Sequence, residues 1–463
     1  MATTKHKAYP IYKPSSVKWL GDIPVHWGVD RLKWTIVTCT NGMWGSDPEG
    51  TLDDIVCVRV ADFDRTTLRV NKDCPTLRAL PAQERSGRIL SRGDLLLEKS
   101  GGGELQPVGA VVIYDQDTPA VCSNFVARMT ARDTFDPRFL TYYHAFSYSS
   151  RVNTRSIKQT TGIQNLDASA YLNELIGIPP LPEQQAIAAF LDRETARIDG
   201  LIEKKRRQIE LLQEKRAALI SHAVTKGLDP NVKMKPSGIE WLGEIPEHWD
   251  IVRVRHITKQ IEQGWSPQCE SREADPDEWG VMKAGCANYG QFDETEHKAL
   301  PADVIPETSY EIKPGDVIMS RACGTISLVG SVAFVEQCRS KLLLCDKLFR
   351  IHSITSRCEA QYLYLAMNSK YTRAQIEMSL SGAGGLANNI TQPTIKNILI
   401  ALPPLVEQKQ IIDKLWCSST RLEALMDKIN ESVDRLREYR TALISAAVTG
   451  KIDVRNFPLE MAS

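Results

Sequence analysis

Three sets of residues in this chain are spaced so that they can do chemistry. The first is Asp94, Glu98 and Lys99, carboxylates beside a lysine. Nucleases hold a metal and an attacking water with such a set, but with one residue between the Glu and the Lys, and here the two are adjacent. The second is a basic residue entering a loop of small residues, Lys99-Ser100-Gly101-Gly102 and again Arg321-Ala322-Cys323-Gly324. A cation on a loop with little side-chain bulk can come close to a phosphate or a base edge. The third is Arg59 in Val58-Arg59-Val60-Ala61 and Lys283 in Met282-Lys283-Ala284-Gly285. For each of these residues alone, solvated surface charge is the competing reading. Basic charge at both positions, twice along the chain, is what favours a nucleic-acid contact at Arg59, Lys99, Ser100, Gly101, Lys283, Arg321 and Gly324.

Other chemistry is not written in the chain. There is no GxxxxGK[ST] phosphate loop, no GxGxxG after a strand, no HExxH, no GxSxG and no Asn-Pro-Pro-aromatic tetrapeptide of amino-methyltransferases. The 11 cysteines form no CxxC pair, so a zinc ribbon or a disulfide framework is not expected, and reduced thiols in a cytoplasm fit better. No catalytic residue, no metal site and no cofactor of the chain's own is therefore expected.

What places the basic residues twice is an internal repeat. YKPSSVKWLGDIPVHW at 12–27 returns as MKPSGIEWLGEIPEHW at 234–249, with Trp241 standing in the place of Trp19. PPLPEQ at 179–184 returns as PPLVEQ at 403–408, and ALISHAVTKGLD at 218–229 returns as ALISAAVTGKID at 442–453, both at one common offset with no gap between them. The period is far too long for a solenoid, so the chain is a duplicated unit with pseudo-two-fold character, suited to a two-part target. The duplication also tests the nuclease reading. Asp94 returns as Asp316, but Glu98 becomes Ser320 and Lys99 becomes Arg321. A catalytic carboxylate lost while its strand persists argues against catalysis, and the surviving Asp is expected to tighten a turn after glycine.

Each unit divides into a mixed, turn-rich region and one long helix. Apolar runs at 93–97 and 108–114, with counterparts at 315–319 and 329–335, read as strands between glycine loops. A short helix follows in each copy. Asp136-Pro137 caps and opens the first, and Ser356 with Glu359 has capping-box spacing before the second. The long helix opens near Pro182 and stops near Gly227. Its apolar stripe is Ile187, Leu191, Ile198, Ile202, Ile209, Leu212, Leu219 and Ala223. The partner stripe is Ile411, Leu415, Leu422, Met426, Val433, Leu436, Leu443 and Ala447. An isolated helix of that length with so narrow a face has no burial of its own, and the simplest solution packs the two stripes together as an antiparallel pair. Trp19, Trp27, Trp241 and Trp249 are expected as core plugs rather than platforms for bases.

The totals agree with this plan. A length of 463 residues is too long for one ordinary core. No apolar run can cross a membrane, and MATTKHKAYPIYKPSS lacks the apolar stretch of a signal peptide. The net charge of +0 argues mildly against nucleic acid, so positive charge must be local if DNA is bound.

Taken together, WLGxIPxHW, the PPLxEQ opening a long helix and the ALIxxAVTGKID-like helix end resemble the specificity subunits of type I restriction–modification systems, over almost the whole chain. Val406 in place of Pro182 and the inversion of Lys226-Gly227 to Gly450-Lys451 are local departures. The resemblance implies an α+β fold. A first target-recognition domain would occupy 1–180, a conserved helix 181–229, a second recognition domain 230–404, and the second helix and tail 405–463. The two helices would pair as a coiled coil that sets the spacer of a bipartite double-stranded DNA target and docks two modification subunits. Those subunits would use S-adenosylmethionine, and restriction subunits in the same complex would use ATP and Mg. The chain itself would be non-catalytic and cytoplasmic. Two other classes stay open at this point. One is a self-contained methyltransferase or nuclease, which a methyl-transfer assay on the isolated chain would detect. The other is a coiled-coil adaptor without a DNA role, which selection from a random duplex pool would detect.

Overall fold

The computed structural model describes residues 7–103, 105–160, 163–381, 389–455 and 457. The fold has two compact units, Met1–Lys205 with Asn430–Ser463, and Arg206–Ile429.

In the first unit the sheet runs β1 (Ile36–Asn41), β4 (Val126–Ala131), β2 (Leu95–Glu98) and β3 (Val111–Ile113), antiparallel throughout, and continues through two short strands at Arg69–Val70 and Phe63–Asp64. All four residues of β2 are buried because both faces of the sheet are covered. Leu95 and Leu97 face Phe139 and Tyr143 of α1 (Pro137–Ser149), whereas Leu96 faces Val58, Val112 and Val126 in a separate cluster. Behind that second cluster, Ala120–Cys122 runs parallel to Asp54–Val58. As the sequence suggests, the Asp136 carboxylate caps α1, accepting from the backbone N–H groups of Arg138 and Phe139.

The second unit repeats the order with β5 (Thr258–Gln263), β8 (Leu348–Ser353), β6 (Val317–Ser320) and β7 (Val332–Phe334). The same alternation holds, Val317 and Met319 facing one cluster and Ile318 the other. Its short helix α3 (Ala360–Met367) corrects one expectation. Glu359 rather than Ser356 stands at the N-cap and no side chain caps the helix there. The Glu359 backbone N–H is taken by the Gln408 side chain instead, at 2.9 Å.

The long helices are α2 (Leu181–Lys226) and α4 (Leu405–Val448). In the first unit Leu191, Ile198 and Ile202 of α2 share a core with Val433, Leu443 and Ile444 of α4. In the second, Ala223 and Val224 of α2 share a core with Ile411 and Leu415 of α4. The start of each helix thus packs beside the end of the other, which is the antiparallel pairing. Along the expected stripe Ile209, Leu212, Leu422, Met426 and Leu436 are half-buried. Leu219 departs from the expected stripe: it is 39% exposed, and its neighbour Ile220 packs on the core instead. Leu443, the repeat counterpart of Leu219, is 3% exposed, so the departure belongs to the first helix alone. Ile429, absent from the expected stripe, is buried.

Candidate nucleic-acid interface

The frame that holds each recognition region is a glutamate in the first turn of a long helix. Glu183 accepts from the Tyr9 hydroxyl at 2.5 Å, from Trp27 Nε1 at 2.9 Å and pairs with His26 Nε2 at 2.7 Å. Its repeat, Glu407, accepts from Trp249 Nε1 at 3.0 Å and pairs with His248 Nε2 at 2.7 Å. The neighbouring glutamines fix the backbone. Gln184 accepts from the Asp136 N–H at 3.0 Å and donates to the Pro179 carbonyl at 2.9 Å, and Gln408 makes the matching bonds to Glu359 and Pro403. Trp27 and Trp249 are fully buried plugs, and Trp19 and Trp241 lie partly buried against the same cores. The blocks at 12–27 and 179–184 are therefore two halves of one contact, as are 234–249 and 403–408.

A second repeated pair joins the long helices. Arg440 Nε lies 3.0 Å from Asp199 Oδ1, and Arg216 Nη2 lies 3.0 Å from Glu423 Oε1. In the repeat Asp199 returns as Glu423 and Arg216 as Arg440, so one ion pair is built into each unit. Arginine at these half-buried positions looks like a break in an apolar stripe, which is why spacing alone did not reveal it.

The carboxylates that resemble a nuclease set are both engaged. Asp94 Oδ2 accepts from the Ser91 N–H at 2.7 Å and lies 3.0 Å from Arg128 Nε. Asp316 repeats this with the Lys313 N–H at 2.9 Å and Arg350 at 3.2 Å. The preserved Asp thus closes the turn before the central strand and ties it to the adjacent strand. Glu98 is buried and meets Arg65 Nη2 at 2.9 Å; burial raises its pKa and Arg65 opposes the rise. Burial likewise pushes the Cys57 and Cys345 thiols up to about 11, so neither is a ready thiolate. Among the described residues, no three His, Cys, Asp or Glu side chains are grouped to hold a metal ion.

The basic loop residues leave the ends of the central strands in matching geometry. The Lys99 N–H donates to the Phe125 carbonyl and the Arg321 N–H to the Lys347 carbonyl, each at 2.8 Å. Lys99 Nζ donates to Asn41 Oδ1 at 2.6 Å, and Arg321 Nη1 donates to the Asp346 carbonyl at 3.2 Å, which leaves the rest of the half-buried guanidinium fork for other partners. Ser100 Oγ meets Asn165 Oδ1 at 2.5 Å, and Gly101 has φ of +121°, a backbone state that favours glycine. Gly324 is exposed, and among the described residues a Cβ built there would meet nothing within 4 Å. Lys283 lines one cleft of about 430 Å³ together with Lys298, Ala322, Cys323, Gly324 and Lys347. The second unit therefore gathers three lysines where the sequence offered one. Lys283 Nζ lies 3.7 Å from Glu296. Arg59 stands apart: its Nε is 3.6 Å from the buried Asp62, and its backbone opens the 3-10 turn Val60–Asp62.

Two glycines outside the motifs named from the sequence shape these loops. A Cβ on Gly42 would sit 2.2 Å from the carbonyl oxygens of Cys122 and Ser123, and one on Gly264 would sit 2.1 Å from that of Leu344. The end of the first strand presses on the neighbouring loop in both units, and only glycine permits it. The signal was available, since Asn41-Gly42 and Gln263-Gly264 keep the same separation as Trp19 and Trp241.

The arginines without counterparts in the second copy turn to local partners. Arg69 pairs with Asp115, Arg78 reaches Asp47 at 2.5 Å, Arg85 lies 3.8 Å from Asp53, and Arg88 donates to the Asn41 carbonyl. Arg78 also covers the partly exposed Trp44 ring at 4.5 Å.

Comparison with known proteins identifies the family and the fold. The family described as Type I restriction modification DNA specificity domain matches residues 80–211 and 298–435, more than half of the chain. The EcoEI specificity subunit of Escherichia coli is 36% identical over 207 residues, which are 44% of this chain and 34% of that protein, so the match spans about a third of that relative. The MjaVIII specificity subunit of Methanocaldococcus jannaschii is 25% identical over 309 residues, 65% of this chain and 68% of that one. A chain solved in work on complex assembly and conformational transition of the type I R-M system shares the fold, with a TM-score of 0.60 at 19% identity over 93% of this chain and 99% of that chain. No helix among the described residues is long and apolar enough to cross a membrane. The repeated frame, the paired helices and the matching family together make this chain a member of the type I restriction–modification DNA specificity subunits.

Proposed function

We propose that each recognition region reads one half of a bipartite double-stranded DNA target, and that the chain does so without an active site of its own. The observation that carries this reading is the basic loop. Lys99 and Arg321 leave the same strand end in the same hydrogen-bonding geometry, while the surfaces around them diverge. One shared frame with two different surfaces is what two different half-sites require. The paired helices hold the frame, and in this reading they set the spacer and dock two modification subunits carrying S-adenosylmethionine. Restriction subunits using ATP and Mg would join through the same complex. A neutral chain is compatible with that plan if the partners supply most of the phosphate contacts.

The test is a domain exchange. Replacing residues 30–178 with the first recognition region of another specificity subunit should change one half of the selected sequence and leave the other intact. If both halves change together, the modular reading fails. A methyl-transfer assay on the isolated chain should give background incorporation, and turnover there would overturn the non-catalytic assignment.

A further inference from the structure

Each basic loop has an asparagine as its cross-strand neighbour. Ser100 pairs with Asn165 in the short antiparallel ladder Ser100–Gly101 against Ile163–Leu166, and Ala322 bridges to Asn389. The Leu166 N–H donates to the Lys99 carbonyl at 2.8 Å, and the Ile390 N–H donates to the Arg321 carbonyl at 2.9 Å. The two asparagines are therefore held at one place relative to the two basic residues. Both are exposed, while Gln164, Leu166 and Ile390 beside them are buried.

The repeat isolates these residues further. When 157–166 is aligned with 381–390, in the register set by the two PPLxEQ blocks, Asn165 and Asn389 are the one identity. Asparagine is a poor strand residue, and an exposed strand position gives no packing reason to keep it. Asn173 and Asn397 make the contrast. They too are repeated, and both copies have the same internal reason, accepting from Arg31 at 2.9 Å and from Arg253 at 2.8 Å. Among the described residues Asn165 and Asn389 share no such reason, because the hydroxyl that meets Asn165 belongs to Ser100 and the second unit has Ala322 there.

From this placement we infer that Asn165 and Asn389 are specificity-determining residues, each reading the major-groove edge of an adenine beside the base or phosphate met by Lys99 or Arg321. One N–H and the carbonyl oxygen of a carboxamide lie side by side and match N7 and the N6 amino group on the major-groove edge of adenine. The Ser100 hydrogen bond uses one lone pair of the Asn165 oxygen, so the second lone pair accepts from N6 while Nδ2 donates to N7.

The inference rests on the DNA-reading function proposed above, and the experiment separates the two. Duplexes are selected from a random pool by the chain assembled with modification subunits, either as wild type or carrying Asn165→Ala, Asn389→Ala or Asn173→Ala. Wild type should enrich a two-part sequence, and failure to do so refutes DNA reading itself. If it does enrich one, Asn165→Ala should relax a single adenine in one half and Asn389→Ala a single adenine in the other, each by roughly 10- to 100-fold in discrimination. Asn173→Ala should lower stability with the preference intact. The second measurement replaces that adenine by 7-deazaadenine, which removes the N7 acceptor. Wild type should lose affinity for the altered duplex, whereas the matching Asn variant should not distinguish it from the normal one. An unchanged preference in both variants, or an equal 7-deaza penalty in wild type and variant, overturns the assignment.

Discussion

Removing the helix-start glutamate should weaken the two units unequally. Glu183→Ala strands two buried donors, Trp27 Nε1 and the Tyr9 hydroxyl, on residues no more than 4% exposed. Glu407→Ala strands one, Trp249 Nε1, since Asn231 takes the place of Tyr9 in the repeat. The histidines do not count, because His26 and His248 are 34% and 47% exposed and can turn to water. A buried donor left without an acceptor costs about 1–3 kcal/mol. The expected loss is therefore about 2–6 kcal/mol in the first unit and about 1–3 kcal/mol in the second. Any loss of favourable charge at a helix N-terminus is common to both and cancels in the comparison. The assay is urea unfolding followed by hydrogen exchange of the segments around Trp27 and Trp249, so that each unit is read separately. Equal losses, or a greater loss at Glu407, would refute the argument that unsatisfied donors set the cost.

Four further outcomes are expected. Gly42→Ala and Gly264→Ala should each cost about 1–3 kcal/mol through a Cβ forced onto a carbonyl oxygen, measured as a lowered denaturation midpoint with displaced loop resonances. Lys99→Ala should weaken binding to all duplexes and flatten the salt dependence by about one unit, as measured by titration at several salt concentrations. Arg321→Ala should relax one base preference in one half-site by about 1–3 kcal/mol in competition with single-base variants. Burial holds the His144 imidazole down to about 4 from its ordinary 6.5, so the folded chain keeps it neutral. Its contribution is complete above pH 6.5 and is lost as the pH falls toward 4, because the unfolded chain takes up the proton first; the loss reaches about 3 kcal/mol, and a His144→Gln variant compared with wild type from pH 7 to 4.5 should lack this component.

What the sequence revealed and what it hid divide along physical lines. The duplication, the paired helices and the tryptophan plugs were legible because periodicity and repetition are local signals. The sheet order was not, since nothing local tells Val126–Ala131 to insert between Ile36–Asn41 and Leu95–Glu98. Nor was the function of PPLxEQ, which lies in hydrogen bonds between residues far apart in the chain, Glu183 with Trp27 and Glu407 with Trp249. Arg216 and Arg440 hid because a polar residue in an apolar stripe looks like noise until its partner is seen. Of the basic residues, Lys283 is brought into one cleft with the Ala322–Gly324 loop, whereas Arg59 turns toward a buried carboxylate; the direction of a side chain is not written in its spacing.

The first unit is assembled from two segments that are made far apart in time, one up to Lys205 and one after Ile429. Trp27 and Leu20 share a core with Ala447, Val448 and Val454, and the Asp453 N–H donates to the Lys7 carbonyl at 2.7 Å. The second unit is one continuous stretch, Arg206–Ile429. At about 5–20 residues per second, Leu20 and Trp27 wait on the order of 20–90 s for Ala447, Val448 and Val454. The unit made of Arg206–Ile429 needs no later segment to close its core, whereas the first unit waits for the segment after Ile429. Until then Trp27 and Ile23 can be covered by the earlier-made Ile176, Ile187 and Leu191 on one side, but the side that Ala447 and Val448 close stays open.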